Sequence, residues 1–368
     1  MQQEINRWVD FFQVLILTRF RQTQPQAIET LTSLLIGHLF GLCNLNQLAD
    51  ALCIPKSGLY AHLSKWSLYQ WQRLLVVVGC QQVVDTIKQT EQMSASTKSR
   101  RRITLSVDDT VEQRHGKVLA YCSWYSGRFK KTLKGQNLLA VTVRIGEEVV
   151  PLCVRLVGKQ GRANTQKPQI LVEMLREIIA FFTTQGIDIT HYPITFDSWY
   201  ASQPLRENLS ELGFSQILVH AKTSFVFETN SQRGKLSVHK RTTELLDDQW
   251  GCDCPIKRLK AESPTFGACI LLFFINSGQV KCMMVFGSPL RSAEILAIWH
   301  QHHSIEQFWR QLKSIVRLVD MRLAGRCGDY AGVAVNVLSY LLLLSVATAT
   351  GQTPRLMSRS SAYNLPFA

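Results

Sequence analysis

Asp108, Asp197 and Glu306 are the residues in this 368-residue chain whose types and settings could do chemistry. Asp108 in SVDDT and Asp197 in ITFDSWY each close an apolar run, and Glu306 lies in a charged segment with helical spacing. Carboxylates are hard oxygen donors. Held at strand ends and on a helix, they are what phosphoryl transfer needs to hold two divalent cations about 3.5 to 4 Å apart. Adjacent residues of a strand point to opposite faces, so Asp109 is the alternative to Asp108 as first ligand while the register is open. Around Glu306, positions 299, 302, 306, 309, 310, 313 and 317 recur mostly at steps of three and four, which gathers them on one broad helical face. Trp299, Trp309, His302, Arg310 and Lys313 then share that face with Glu306, and rings among cations fit a phosphate-bearing surface better than a core. His302 and Lys313 are the candidates for gripping a phosphate, His302 the weaker because imidazole lacks the guanidinium fork.

The elements that must position these residues read as α/β. Residues 103–107 read as a strand ending at the Asp pair, and 137–144 and 149–156 as strands joined by a turn at Gly146. A helix is expected over 167–182, a short strand over 191–196, a helix capped by Ser202 and ended by Gly213, and a strand over 214–219. From 222 to 289 the chain turns β-rich, with KLSVHK, ACILLFF and KCMMVF as strand-like stretches, and two long helices close it, over 292–318 and 333–349. Before the first strand lie about ninety helical residues. Within them, 48–63 (LADALCIPKSGLYAHL) has helix-turn-helix form, with Cys53 where glycine is usual and with Lys56, Ser57, Tyr60 and His62 facing DNA. The polar run 90–102 reads as a linker, and its cations at 98 and 100–102 as contacts to a DNA backbone.

The segment IWHQHHSIEQFWRQLKSIVRLVDMRLAG resembles the DDE insertion-sequence transposases, whose catalytic Glu lies in a Tyr-x2-Arg-x3-Glu-x6-Lys signature. Glu306 and Lys313 match it, while Trp299 stands for Tyr and His302 for Arg. SVDDT and ITFDSWY resemble the family's two Asp motifs. The resemblance implies a ribonuclease H-like core in which Asp108, Asp197 and Glu306 bind two Mg2+, with Mn2+ able to substitute. It implies cleavage and joining of DNA at terminal inverted repeats and target sites, by a homodimer on paired ends. It also implies that Trp250, in the β-rich insertion, holds a flipped base. The domains would be 1–95, helical and DNA-binding; 96–221 with 290–350, catalytic; 222–289, the β-rich insertion; and 351–368, a tail. Competing readings are a helix-turn-helix regulator, a decayed transposase that binds without catalysis, and a nuclease of the same fold.

Composition agrees with a polyanion partner. Lys and Arg number 41 against 27 Asp and Glu, a net charge of +14. With 46% hydrophobic and 18% charged residues the chain can bury a core, which excludes wholesale disorder. The ten Cys lack disulfide-framework spacing, and the lone Cys252-x-Cys254 pair and the trio His300, His302 and His303 lack a zinc pattern. The start lacks a secretory signal, and the uncharged run 332–351 holds enough polar residues to read as a core helix rather than a membrane span. The expected location is a prokaryotic cytoplasm, at the nucleoid.

Overall fold

A strand of eleven residues, β1 (Ile103–Gln113), orders the rest of the sheet. Its apolar residues Leu105 and Val107 are fully buried. It pairs antiparallel with β3 (Lys131–Ile145) along one edge and parallel with β5 (Ile194–Phe196) along the other. β4 (Glu148–Val157) folds back on β3 through a tight turn in which Gly146 takes φ +61°, a conformation that favours glycine. β2 (Cys122–Ser126) pairs with the opening residues of β3. Beyond β5 come β6 (Gln216–His220), parallel to it, and β11 (Gln279–Gly287), antiparallel to β6. β10 (Gly267–Asn276), β9 (Ile256–Ser263), β7 (Val226–Glu228) and β8 (Arg233–Lys235) complete a mixed sheet of eleven described strands. The computed structural model describes residues 1–20, 24–94, 102–113, 122–126, 130–157, 166–230, 232–242, 255–318 and 325–352.

Helices cover both faces. α6 (Gln166–Thr184) packs on β3 and β4, while α9 (Ser292–His302) and α10 (Ser304–Ser314) pack on the other face, over β1 and β5. α7 (Gln203–Glu211) links β5 to β6; the Ser202 hydroxyl accepts from the Leu205 amide and Gly213 ends the turn at φ +95°, as the sequence implies. The first five helices are α1 (Gln2–Arg19), α2 (Pro25–Leu39), α3 (Leu45–Leu52), α4 (Lys56–Ser64) and α5 (Leu68–Ser94). They gather around α11 (Gly325–Ala349), which also packs on β4. Residues 330–349 of α11 are long and apolar enough to cross a membrane, and 89% of the most apolar window is buried inside the fold, as expected of a core helix.

Five expectations need correction. β1 does not end at the Asp pair but runs on to Gln113, paired with β3 throughout, so Asp108 and Asp109 lie in mid-strand. α5 runs to Ser94, where a linker was expected from residue 90. KLSVHK is not a strand: Leu236–Thr242 forms the short helix α8, anchored by buried Leu236 and by the His239 ring at 3.2 Å from the Phe227 carbonyl. Strands from 222–289 are not a body apart, because β11 pairs with β6 and carries β10 and β9 with it into the same sheet. The helix expected over 292–318 breaks at His303, which ends α9 and precedes α10, where the Ser304 hydroxyl donates to the Gln301 carbonyl at 2.6 Å.

Candidate active site

Strand alternation in β1 separates the two neighbouring aspartates. Thr104, Thr110 and Glu112 face α9 and α10: the Thr104 hydroxyl donates to the Gln301 side chain, and the Lys313 ammonium donates to Thr110 Oγ1 at 2.8 Å and pairs with Glu112 at 2.9 Å. Asp108 shares their parity and therefore their face. Asp109 points the other way, where it accepts from Asn137 Nδ2 at 2.6 Å, from Lys167 Nζ at 2.6 Å and from the Tyr200 hydroxyl. Both of its oxygens accept hydrogen bonds in this network, on the strand face opposite Asp108. The Asp109 charge, added to burial, lifts the Tyr200 phenol well above its ordinary range.

The parallel register aligns a mid-strand position of β1 with the ends of β5 and β6. Ser106 pairs with Thr195 and Val107 with Phe196, so one step further sets Asp108 beside Asp197. Phe196 pairs with Val219, and the same step sets Asp197 beside His220, the residue that closes β6. Parallel neighbours lie about 4.8 Å apart, so the three side chains form a row at the carboxyl edge of the sheet, where open α/β sheets bind ligands. Glu306 stands in the first turn of α10, above this row, and is exposed, as is Asp197. Burial, first, and then the charges of Asp109, Asp197 and Glu306 push the Asp108 carboxyl up to about 8. Asp197 and Glu306, both distant in the chain, therefore stand close enough to act on the Asp108 charge, a repulsion that a divalent cation would relieve. Among the described residues no three His, Cys, Asp or Glu side chains stand close enough to hold an ion. The donor chemistry of Asp108, Asp197 and Glu306 fits Mg2+.

His220 was not singled out in the sequence, although the signal was there: like Asp108 and Asp197 it follows an apolar run, here ILV. Burial pushes its imidazole down, against the pull of Asp197 and together with His303 and Lys281. It lies against Trp299, with centroids 6.2 Å apart, and near His302 at 5.8 Å.

The helix break rearranges the face expected around Glu306. Trp299 is 3% exposed, wedged against Phe274 at 4.8 Å in the core under α9, and His302 is 5% exposed. Neither offers a surface for DNA, and Trp309, also buried, does not either. Burial holds the His302 ring at about 3, so it is a neutral core imidazole rather than a phosphate grip. Glu306, Arg310 and Arg317 remain exposed. Lys313 keeps its face but spends its ammonium on β1.

In the helical region Lys56 and Ser57 are exposed and Tyr60 half-buried at the start of α4, following a turn in which Cys53 adopts φ +52°. His62 does not face outward, because its Nδ1 lies 2.8 Å from the Thr30 hydroxyl of α2. Trp250, Cys252, Cys254 and the cations at 98, 100 and 101 lie outside the described residues. Compared with protein-family models and with curated proteins the chain matches none, so what the site does must be argued from its own side chains.

Proposed function

We propose that the chain is a DDE-type DNA transposase that cuts the ends of a mobile element and joins them to new DNA. The observation that carries this reading is the register that sets Asp108 beside Asp197 where β5 ends, with Glu306 on α10 near enough to add to the upward push on the Asp108 carboxyl. The parallel trio β1, β5 and β6, with Asp108, Asp197 and His220 in register across it and the antiparallel β3 and β4 beside it, supports a ribonuclease H-like core. The αL turn at Cys53, with Lys56 and Ser57 open at the start of the following helix, supports a helix-turn-helix, and the net charge of +14 supports a nucleic-acid partner.

Asp108, Asp197 and Glu306 would hold two Mg2+, whose chemistry is to activate the attacking oxygen and stabilise the leaving one in an in-line displacement. The chain's own contribution is positional. Lys313 ties α10, which bears Glu306, to β1, which bears Asp108, through Thr110 and Glu112. The Asp109 network pins the opposite face of the same strand to α6. Both devices fix carboxylates before substrate arrives.

Asp197→Asn tests the reading. On a plasmid carrying the DNA that flanks this gene, cleavage and strand transfer should fall on the order of a thousand-fold, with gel-shift affinity unchanged. Cutting retained by the variant overturns the assignment. Cutting without joining by the unmodified chain makes it a nuclease, and binding without cutting makes it a regulator or a decayed enzyme.

A further inference from the structure

Trp199 is 45% exposed, whereas every other tryptophan whose side chain is described (Trp8, Trp66, Trp71, Trp299 and Trp309) is buried. An indole is the largest apolar side chain, so leaving it in water forgoes burial that this fold obtains at each of those other positions. Its position gives the exposure a use. Trp199 lies two residues past Asp197, in a turn closed by the Tyr200 amide donating to the Asp197 carbonyl at 3.0 Å, at the carboxyl edge where the acids stand.

The ring is also held. The Lys167 ammonium sits 4.3 Å from its centroid, and that ammonium is itself fixed by Asp109 at 2.6 Å with its side chain 5% exposed. Tyr200 meets the indole edge-on, with centroids 4.9 Å apart and planes at 74°. An exposed ring whose plane is set by a buried ion pair and a buried phenol loses little freedom when something stacks on it. Lys167 is already paired, so the position offers a π-surface rather than a free charge. Of the ligands that a strongly basic chain attracts, an unpaired nucleobase is the one with a flat apolar face to match.

We propose that Trp199 is a stacking platform for an unpaired nucleobase next to the strand held at Asp197. This rests on the DNA-cleaving reading above and adds to it a requirement for unpaired bases at the cut.

The full chain is mixed, in EDTA, with two probes: a blunt duplex and the same duplex with a single-stranded overhang whose first unpaired base is 2-aminopurine. Stacking on the indole should quench the 2-aminopurine emission. Trp199→Ala should restore it and lower affinity for the overhang about ten-fold while leaving the blunt duplex unaffected. Trp199→Phe should keep most of the quenching, which separates stacking from loss of fold. Quenching that survives in Trp199→Ala, or equal losses on both probes, overturns the proposal. So does a change in self-association by sedimentation with quenching unaltered, which would make the ring a protein contact. If the unmodified chain binds neither probe, the DNA reading fails and this proposal with it, whereas binding that is indifferent to Trp199 removes the platform alone.

Discussion

Asp108 and Asp109 share a peptide bond and almost nothing else. One stands near Asp197 and Glu306 in the middle of β1, with its carboxyl lifted to about 8, and the other closes an ion pair with a buried lysine. Their effects on stability therefore have opposite signs. A carboxyl whose folded pKa exceeds its unfolded value holds its proton in the native state after the unfolded chain has released it. Its stabilising contribution is complete below about pH 4 and is lost by about pH 8. Asp108→Asn removes that loss, so the variant should melt higher than the unmodified protein near pH 9 and gain nothing near pH 4. Asp109→Asn instead removes the carboxylate paired with the Lys167 ammonium and should cost up to roughly 3 to 5 kcal/mol at neutral pH, as breaking a buried pair does. Thermal melts across this pH range check both, and two variants that shift together would refute the assignment of faces. The sequence named both residues and left the choice open because the choice is a matter of register. Only the pairing of Ser106 with Thr195 and the partners Asn137, Lys167 and Tyr200 decide it.

At the scale of elements, the strands and helices built on strong periodicity were readable, and those decided by neighbours were not. α6, α7, β3 and β4 follow their apolar spacing and their capping residues. The break between α9 and α10 has no proline or glycine to announce it; it comes from Trp299 and His302 turning into the core while Glu306 stays out. α8 likewise depends on the Phe227 carbonyl, a partner distant enough in sequence to be invisible to a local pattern. Glycine shows the same dependence in a form that can be measured. A Cβ at Gly79 of α5 would sit 2.3 Å from the Pro151 carbonyl oxygen of β4, so Gly79→Ala forces the helix off the sheet. It should destabilise by about 1 to 3 kcal/mol. A Cβ at Gly58 of α4 meets nothing within 4 Å, and Gly58→Ala should stabilise by roughly 0.5 to 1 kcal/mol through helix propensity. Urea titration of the two variants reads the contrast, and a loss of stability in both would mean that α4 is packed more tightly than its surroundings imply.

The whole molecule does not divide where its composition changes. The shift from helical to α/β near residue 95 reads as a domain boundary, yet Trp71, Leu74, Val78 and Val83 of α5 belong to one continuous core with Leu152 of β4 and Leu338 of α11. The run LLVVVGC in α5 carried a hint, since a helix that is apolar all round is enclosed on all sides. A fragment of residues 1–94 keeps α1 to α4 but loses β4 and α11, against which α5 packs. Each Leu or Val side chain returned to water forgoes about 1.5 to 3 kcal/mol, and half a dozen of them match the roughly 5 to 15 kcal/mol by which a whole fold is stable. The fragment should therefore show poor amide dispersion and no cooperative melt, whereas residues 1–352 should melt in one transition. A dispersed, cooperatively melting fragment would instead restore an independent DNA-binding domain. If the fragment fails as expected, the helices proposed to grip DNA and the edge proposed to cut it share a single core, in which α4 packs on α11 and α11 on β4.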